Sequence, residues 1–263
     1  MKTIFLIIMI LLQSSIGFSR DTLAQIQKDK VLRIGIDVGY MPFEMKTKKG
    51  QIIGFDIDLA KLMAKEMRVK LKIVNTSWDG IIPALLTNKF DLILGGMSIT
   101  PKRNLKVNFT TPYFEAGQSI IIAGKHRVKV KSYKDLNHKK FVIASRFGTT
   151  GELAIKKYLP RATLKTYEDR ETGMLDVAFS RVDAFVYDFP ANHVFSITKG
   201  VSKVVHIAKP FTKEPVGIAI RQDDFNFLNW LNNFLLVIKS DGRYKKIHDS
   251  WFVKTNWLAK VSQ

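Results

Sequence analysis

DLILGGMSITPKRNLKVNFTTPYF, residues 91–114, is the stretch on which the reading of the chain turns. Asp91-Leu92-Ile93-Leu94 has the length and branching of a short buried strand. It runs straight into Gly95-Gly96, where bare backbone can lie against another group. Ser98 and Thr100 then offer hydroxyls, Pro101 opens a helical turn, and Arg103 projects from that turn. Backbone N–H groups, hydroxyls and one guanidinium gathered behind a strand make a receptor for a small anion, and a carboxylate is the planar partner that arginine prefers. Taken alone, the same residues also describe a strand, a tight turn and a surface arginine. The rest of the chain separates the two readings.

Upstream, Val31 to Ile36 alternates as a strand and Asp37 to Glu44 is a loop broken by Gly39 and Pro42. Gly54-Phe55-Asp56-Ile57-Asp58 leads into a helix with Leu59, Leu62, Met63 and Met67 at helical spacing, for which Asp56 is the expected N-cap. Leu71–Val74 is a strand, and Trp78-Asp79-Gly80 opens a second helix carrying Ile81, Ile82, Leu85 and Leu86. Strand, helix, strand, helix, strand signals a parallel sheet with helical crossovers, whose ligands sit beyond the carboxyl ends of the strands. Asp37, Trp78 and Gly95 to Ser98 all fall there. Downstream, Ile120–Ala123 is a strand, and a second βα series follows: strands at Phe141–Ala144, Leu164–Thr166 and Ala184–Tyr187, helices at Glu152–Leu159 and Glu168–Phe179. Val216–Ile220 is expected as one further strand. A long helix over Phe225–Asp241 stops at Gly242, and Tyr244–Trp251 is the last helix. The economical architecture is two α/β lobes with a cleft between them. Phe225, Phe227, Trp230 and Phe234 are spaced like core.

The first nineteen residues read as a secretory leader. Lys2 is the only charge, Ile4–Leu12 is an unbroken apolar run, and Gly17 and Ser19 stand at −3 and −1 of a cut before Arg20. That run is shorter than the roughly 20 residues a membrane span requires. The 263 residues hold no cysteine, so neither a lipidated N-terminal cysteine nor a disulfide is available, which suits a soluble periplasmic protein. There are 42 Lys and Arg against 23 Asp and Glu, a formal net charge of +19. The basic residues are scattered and not interleaved with aromatics, so they read as solvated surface and not as a nucleic-acid face. The five histidines have no metal-ligand spacing, and neither a metal nor a cofactor is expected.

Gly54-Phe55-Asp56-Ile57-Asp58-Leu59-Ala60 resembles the hallmark of the family 3 extracellular solute-binding proteins, the periplasmic receptors that deliver polar amino acids to ABC importers. Further elements follow in family order: Pro42-Phe43-Glu44, Gly80 to Leu85, Ser98 to Arg103, Phe109 to Tyr113, Gly148-Thr149-Thr150, Asp183 to Asp188, and Asp241 to Tyr244. The resemblance covers about residues 28–254. It implies the type II periplasmic binding protein fold: two α/β lobes joined by two crossover strands near Glu115–Ser119 and Pro210–Val216. Residues 20–116 with 212–263 would form one lobe and 117–211 the other, after a signal peptide over 1–19. It implies that Arg103 clamps the α-carboxylate of an L-amino acid, helped by Ser98, by amides near Gly96 and by Thr150 at a helix start. It implies that Asp188 takes the α-ammonium, and that Tyr40 and Trp78 sandwich the side chain. Asp37, Gly95, Gly96 and Arg146 complete the expected ligand-binding set, and no residue is expected to be catalytic.

Which amino acid is bound divides the evidence of the residues. Asp37 beneath an aromatic pair suits a cationic side chain. Arg146 in the same pocket would repel that cation and suit an amide, so glutamine is favoured, with arginine, lysine and histidine next. The expected partners are the amino acid and an inner-membrane ABC permease, with the protein itself a monomer. The alternative is an enzyme on the same fold, a periplasmic cyclohexadienyl dehydratase, which needs a general acid in the cleft.

Overall fold

The structure, a computed structural model, describes residues 21–261; the leader expected over 1–19 lies outside the described residues. In chain order the first lobe begins with α1 (Thr22–Asp29), β1 (Val31–Ile36), the small hairpin β2 (Met45–Lys46) and β3 (Ile52–Ile53), and α2 (Phe55–Met67). It continues through β4 (Lys70–Asn75), a 3₁₀ turn at Trp78–Gly80, α3 (Ile81–Leu86), β5 (Leu92–Ile93), α4 (Pro101–Asn104) and β6 (Asn108–Phe109). After β7 (Phe114–Ala116) come β8 (Gln118–Ala123), β9 (Val142–Arg146), α5 (Thr150–Tyr158), β10 (Thr163–Tyr167), α6 (Arg170–Ala178), β11 (Ala184–Asp188), α7 (Phe189–Ile197) and β12 (Val204–Ile207). The chain returns through β13 (Glu214–Val216) to β14 (Ala219–Ile220), α8 (Phe225–Ser240) and α9 (Arg243–His248).

Two five-stranded sheets result, in the orders β4-β1-β5-β14-β6 and β10-β9-β11-β8-β12. β1 runs parallel to β4 and β5, and β9 parallel to β10 and β11, whereas β14 and β8 are antiparallel to their neighbours. The chain is therefore a mixed α/β protein of two lobes. β7 and β13 pair antiparallel as a separate two-stranded ribbon that carries the chain across and back. We propose 20–116 with 212–263, and 117–211, as the lobe limits; every strand of the second sheet lies within the latter.

The two sheets open in the same way. Asp91 precedes β5, and its carboxylate accepts the Arg33 N–H of the neighbouring strand at 2.8 Å. Asp183 precedes β11, and its carboxylate accepts the Val142 N–H at 2.9 Å. Each carboxylate holds one strand-entry amide and so fixes where the strand pair begins. Behind these entries the strand interiors are apolar: Ile34, Ile36, Leu92, Ile93, Ile143, Ala184 and Phe185 are all fully buried.

Four local expectations need correction. Asp56 is not the cap of α2. That position is Gly54, and the amides of Phe55 and Asp56 are taken by the main-chain carbonyls of Pro42 and Phe43, each at 3.0 Å. The Asp56 side chain is thereby freed to point inward. Val216–Ile220 is two strands, because Val216 pairs with the ribbon and Ala219 with the sheet. Phe225 is 64% exposed, while Phe227 and Phe234 are buried in α8 as their spacing suggests. The last helix passes after His248 into a wider π turn over Asp249–Val253. α8 does end ahead of Gly242, which takes the left-handed conformation at φ 83°. No helix among the described residues is long and apolar enough to cross a membrane.

Candidate functional site

The carboxyl ends of β1, β5, β9 and β11 meet between the lobes around a narrow cavity of only about 10 Å³. All ten residues singled out from the sequence line it, together with Glu44, Thr149, Arg170 and Tyr187. A larger groove between α1 and α8 lies on the outer face of the first lobe, lined by Leu23, Trp230 and Phe234. It is open and remote from the strand ends, so the interlobe cavity is the candidate site.

From the first lobe, Arg103 rises from α4, whose first turn is closed by Pro101 and by the Thr100 hydroxyl accepting the Arg103 N–H at 3.2 Å. Its guanidinium donates to Ser98 O at 2.8 Å and lies over the Trp78 ring, 5.1 Å from the centroid. Two of the five donors of the fork are therefore in use, one here and one on Gly148 O across the cleft at 3.3 Å. Ser98 Oγ donates to Glu214 of the returning ribbon strand at 2.9 Å. Gly95 sits so close to Glu44 that an added Cβ would meet Oε1 at 3.3 Å. Gly96, at φ 62°, would put a Cβ 2.2 Å from the Tyr40 ring, so no side chain fits there.

Beneath these glycines lies an acidic floor. Asp56 Oδ2 accepts the Gly96 N–H at 3.0 Å and the Tyr113 hydroxyl at 2.9 Å. Of the amides expected near Gly96, that of Gly96 itself is held by Asp56 Oδ2, with the Tyr113 hydroxyl also 3.2 Å from it. Burial pushes the Asp56 carboxyl up to about 8 against the pull of those two hydrogen bonds. Glu44 is 1% exposed, and neither of its carboxylate oxygens has a hydrogen-bond partner among the described residues. Burial, and then the neighbouring Asp56 charge, hold its carboxyl well above the ordinary range.

The second lobe supplies Asp188 at the end of β11. It accepts the Tyr40 hydroxyl at 2.5 Å and the Gln118 amide at 2.6 Å. Burial raises its carboxyl to about 6, aided by the Glu214 charge and opposed by those two hydrogen bonds. Thr150 opens α5, and its hydroxyl stands 3.4 Å from Ser98 Oγ and 3.2 Å from Gln118 Nε2. Arg170 opens α6, donates to Gly39 O and to the Tyr187 hydroxyl, and lies over both the Tyr40 and Tyr187 rings at 5.1 and 5.2 Å.

The lobes are thus closed on one another. Tyr40 reaches Asp188, Trp78 Nε1 reaches Gly148 O at 3.3 Å, and Asp37 forms an ion pair with Arg146. Asp37 and Arg146, expected to pull the ligand in opposite directions, instead cancel each other's charge. Tyr40 and Trp78 stand on the cavity wall but are engaged elsewhere: Tyr40 stacks on Phe43 at 4.6 Å, and Trp78 lies under Arg103.

Sequence reasoning passed over Glu44 and Arg170. Arg170 follows the carboxyl end of β10, so the strand-end rule that selected Asp37 would have reached it. Glu44 entered only as the end of the Pro42-Phe43-Glu44 element of the resemblance, with no role attached, and nothing in its spacing marks it as buried.

A family model described as bacterial extracellular solute-binding proteins, family 3, matches residues 32–254. The ABC transporter arginine-binding protein 1 of Escherichia coli is 34% identical over 224 residues, covering 84% of this chain and 90% of that protein. A solved structure of a binding component of an ABC transporter from Wolinella succinogenes, complexed with lysine, is 48% identical at a TM-score of 0.85 and covers 88% of this chain and 99% of its own. An ancestral amino acid-binding protein, described as a precursor of cyclohexadienyl dehydratase, is 46% identical at a TM-score of 0.83, covering 88% and 100%.

Proposed function

The chain belongs to the bacterial extracellular solute-binding proteins, family 3, and on that premise we propose that it is the periplasmic amino-acid receptor of an ABC importer, working as a monomer. The observation that carries this reading is the opposition of Arg103 and Asp188 on one closed cavity. A guanidinium with donors to spare suits a carboxylate, and a buried acid held by two neutral donors suits an ammonium. An L-α-amino acid presents both groups on one carbon. Its carboxylate would take Arg103 and Ser98 from one lobe and Thr150 from the other, while its ammonium takes Asp188. Contacts with both lobes exist together only in the closed form, so the ligand favours closure and the closed surface is what a permease would meet. Relatives that bind arginine, lysine and glutamine support an amino acid as the ligand. With Asp37 and Arg146 neutralising each other, the pair gives glutamine no advantage over the basic amino acids.

The test is a thermal-shift screen of the protein lacking its first nineteen residues against the twenty amino acids and ornithine. A ligand at about 100 times its Kd adds about 2.7 kcal/mol to the folded state, enough to read as a rise in Tm. A polar or basic L-amino acid is expected to give that rise and its D-isomer to give none. A flat profile across all of them would sink the proposal. Turnover of prephenate or arogenate by the same preparation would replace binding with the dehydratase reading.

The Asp188 carboxyl adds a pH dependence. Its pKa of about 6 belongs to the free protein, and an ammonium held against it favours the charged form. Binding therefore expels a proton below pH 6 and none well above it. Affinity for any α-amino acid is expected to fall by about tenfold per unit as pH drops below 6, and to lose this slope in Asp188→Asn, as read by calorimetric titration.

A further inference from the structure

We propose that Glu44 is the specificity-determining carboxylate of this cleft and that it receives a cationic ligand side chain. The inference rests on the amino-acid-receptor reading and deepens it. Assigning the charged groups of the cavity leaves one over. Arg146 is paired with Asp37. Arg170 is spent on Gly39 O and the Tyr187 hydroxyl and is flanked by two aromatic rings. Arg103 and Asp188 are matched by the α-carboxylate and the α-ammonium. Glu44 remains, 1% exposed on the cavity wall, with both oxygens unpartnered.

Such a group is costly as a bare ion and resolves the cost in one of two ways: it keeps a proton, or it gains a cation. The structure provides for both. The groups facing Glu44 are Asp56 below it, whose Oδ2 is held by Gly96 N–H and the Tyr113 hydroxyl, and Asp37, Arg146 and Arg170 around it. Burial, and after it Asp56, favours the protonated form of Glu44 in the free protein. A ligand ammonium or guanidinium arriving at the carboxylate would take the place of that proton and make charge-assisted hydrogen bonds to it. Gly95 borders this carboxylate, and because a Cβ there would lie 3.3 Å from Oε1, only the lack of a side chain keeps that oxygen uncovered from this side. An amide side chain has no charge to give and leaves the carboxyl without a counter-charge.

The experiment compares arginine with citrulline, which has the same α-groups and nearly the same shape but an uncharged end. The contributions of Arg103 and Asp188 cancel in the ratio. Calorimetric titration of the intact mature protein at pH 8 is expected to show arginine binding at least about 100-fold tighter than citrulline. Lysine against norleucine should show the same sense. The arginine-to-citrulline ratio should itself widen as pH rises, since only arginine displaces the Glu44 proton. Glu44→Gln should bring the ratio below about ten, with a cooperative urea unfolding transition certifying that the variant is folded. Should the variant not fold, the wild-type ratio and its pH slope decide alone. Equal binding of arginine and citrulline, or tighter binding of glutamine than of either basic amino acid, overturns the role of Glu44 and leaves the receptor reading standing. Absence of binding by every amino acid overturns both.

Discussion

Arg103→Ala is expected to abolish measurable amino-acid binding while leaving the fold intact. In the free protein the side chain makes two hydrogen bonds to carbonyls, Ser98 O and Gly148 O, and covers the Trp78 ring. These are half-exposed contacts whose loss costs about 1 kcal/mol each at most, so Tm should move by a few degrees. The bound state loses far more. Deleting a guanidinium that faces a buried carboxylate leaves that carboxylate desolvated and unpaired, at a cost of about 3–5 kcal/mol, or two to four orders of magnitude in Kd. Arg103→Lys keeps the charge but not the fork, and an ammonium cannot make both parallel bonds. It should fall between the two, about tenfold to a hundredfold weaker than the native protein. The readout is the ligand-induced rise in Tm beside the unliganded Tm. Retention of the ligand-induced rise by Arg103→Ala would remove Arg103 from the site, and loss of the unliganded transition would mean a structural role.

The ease of finding Arg103 in the sequence, and the difficulty of finding Glu44, have one physical cause. Arg103 lies on a local motif: a strand, two glycines, a hydroxyl and Pro101 within a dozen residues fix the turn that presents it. The strand-end rule likewise reached Asp37, Trp78 and Gly95, because the position of a loop at the end of a parallel strand is a property of local order in the chain. The role proposed for Glu44 depends on what packs on it from elsewhere in the chain, namely Gly95, 51 residues away, and Asp56, 12 residues away on the next helix. No spacing around Glu44 encodes that. Asp56 shows the same limit from the other side. Its place one residue into a helix is right for a cap, but carbonyls of the preceding loop had already taken the free amides, and the carboxylate turned to Gly96 instead. Arg146 could be placed in the cavity by resemblance, yet its effect on ligand choice depends on an ion pair across the cleft that the sequence does not display.

The tightest point of the first lobe is Gly54, and its replacement is expected to have the largest effect on stability of any single methyl addition. The residue adopts φ 147°, which side chains rarely tolerate, and an added Cβ would stand 2.0 Å from the Phe43 carbonyl oxygen and 2.5 Å from its carbon. Those are backbone atoms, and they cannot step aside. The Phe43 carbonyl accepts the Asp56 N–H and the adjoining Pro42 carbonyl accepts the Phe55 N–H, so the contact is the joint on which α2 begins. Gly54→Ala must break that joint or twist it, at about 3–5 kcal/mol, against a total of about 5–15 kcal/mol for a domain. Gly50→Ala supplies the control. Gly50 also has positive φ, at 77°, but nothing lies within 4 Å of its Cβ position, so only the conformational cost of about 1 kcal/mol remains. Urea denaturation monitored by tryptophan fluorescence should show a large fall in midpoint for Gly54→Ala and a small one for Gly50→Ala. A binding deficit should accompany the first and not the second, even under conditions where both are folded. The loop that Gly54 holds carries Tyr40 and Glu44 into the cleft, and shifting Phe43 by the ångström that a methyl demands would displace both of them. Equal midpoints for the two variants would mean that the chain can open the Phe43–Gly54 contact freely, and the explanation of the Gly54-Phe55-Asp56 stretch as a clamp on the ligand loop would fail.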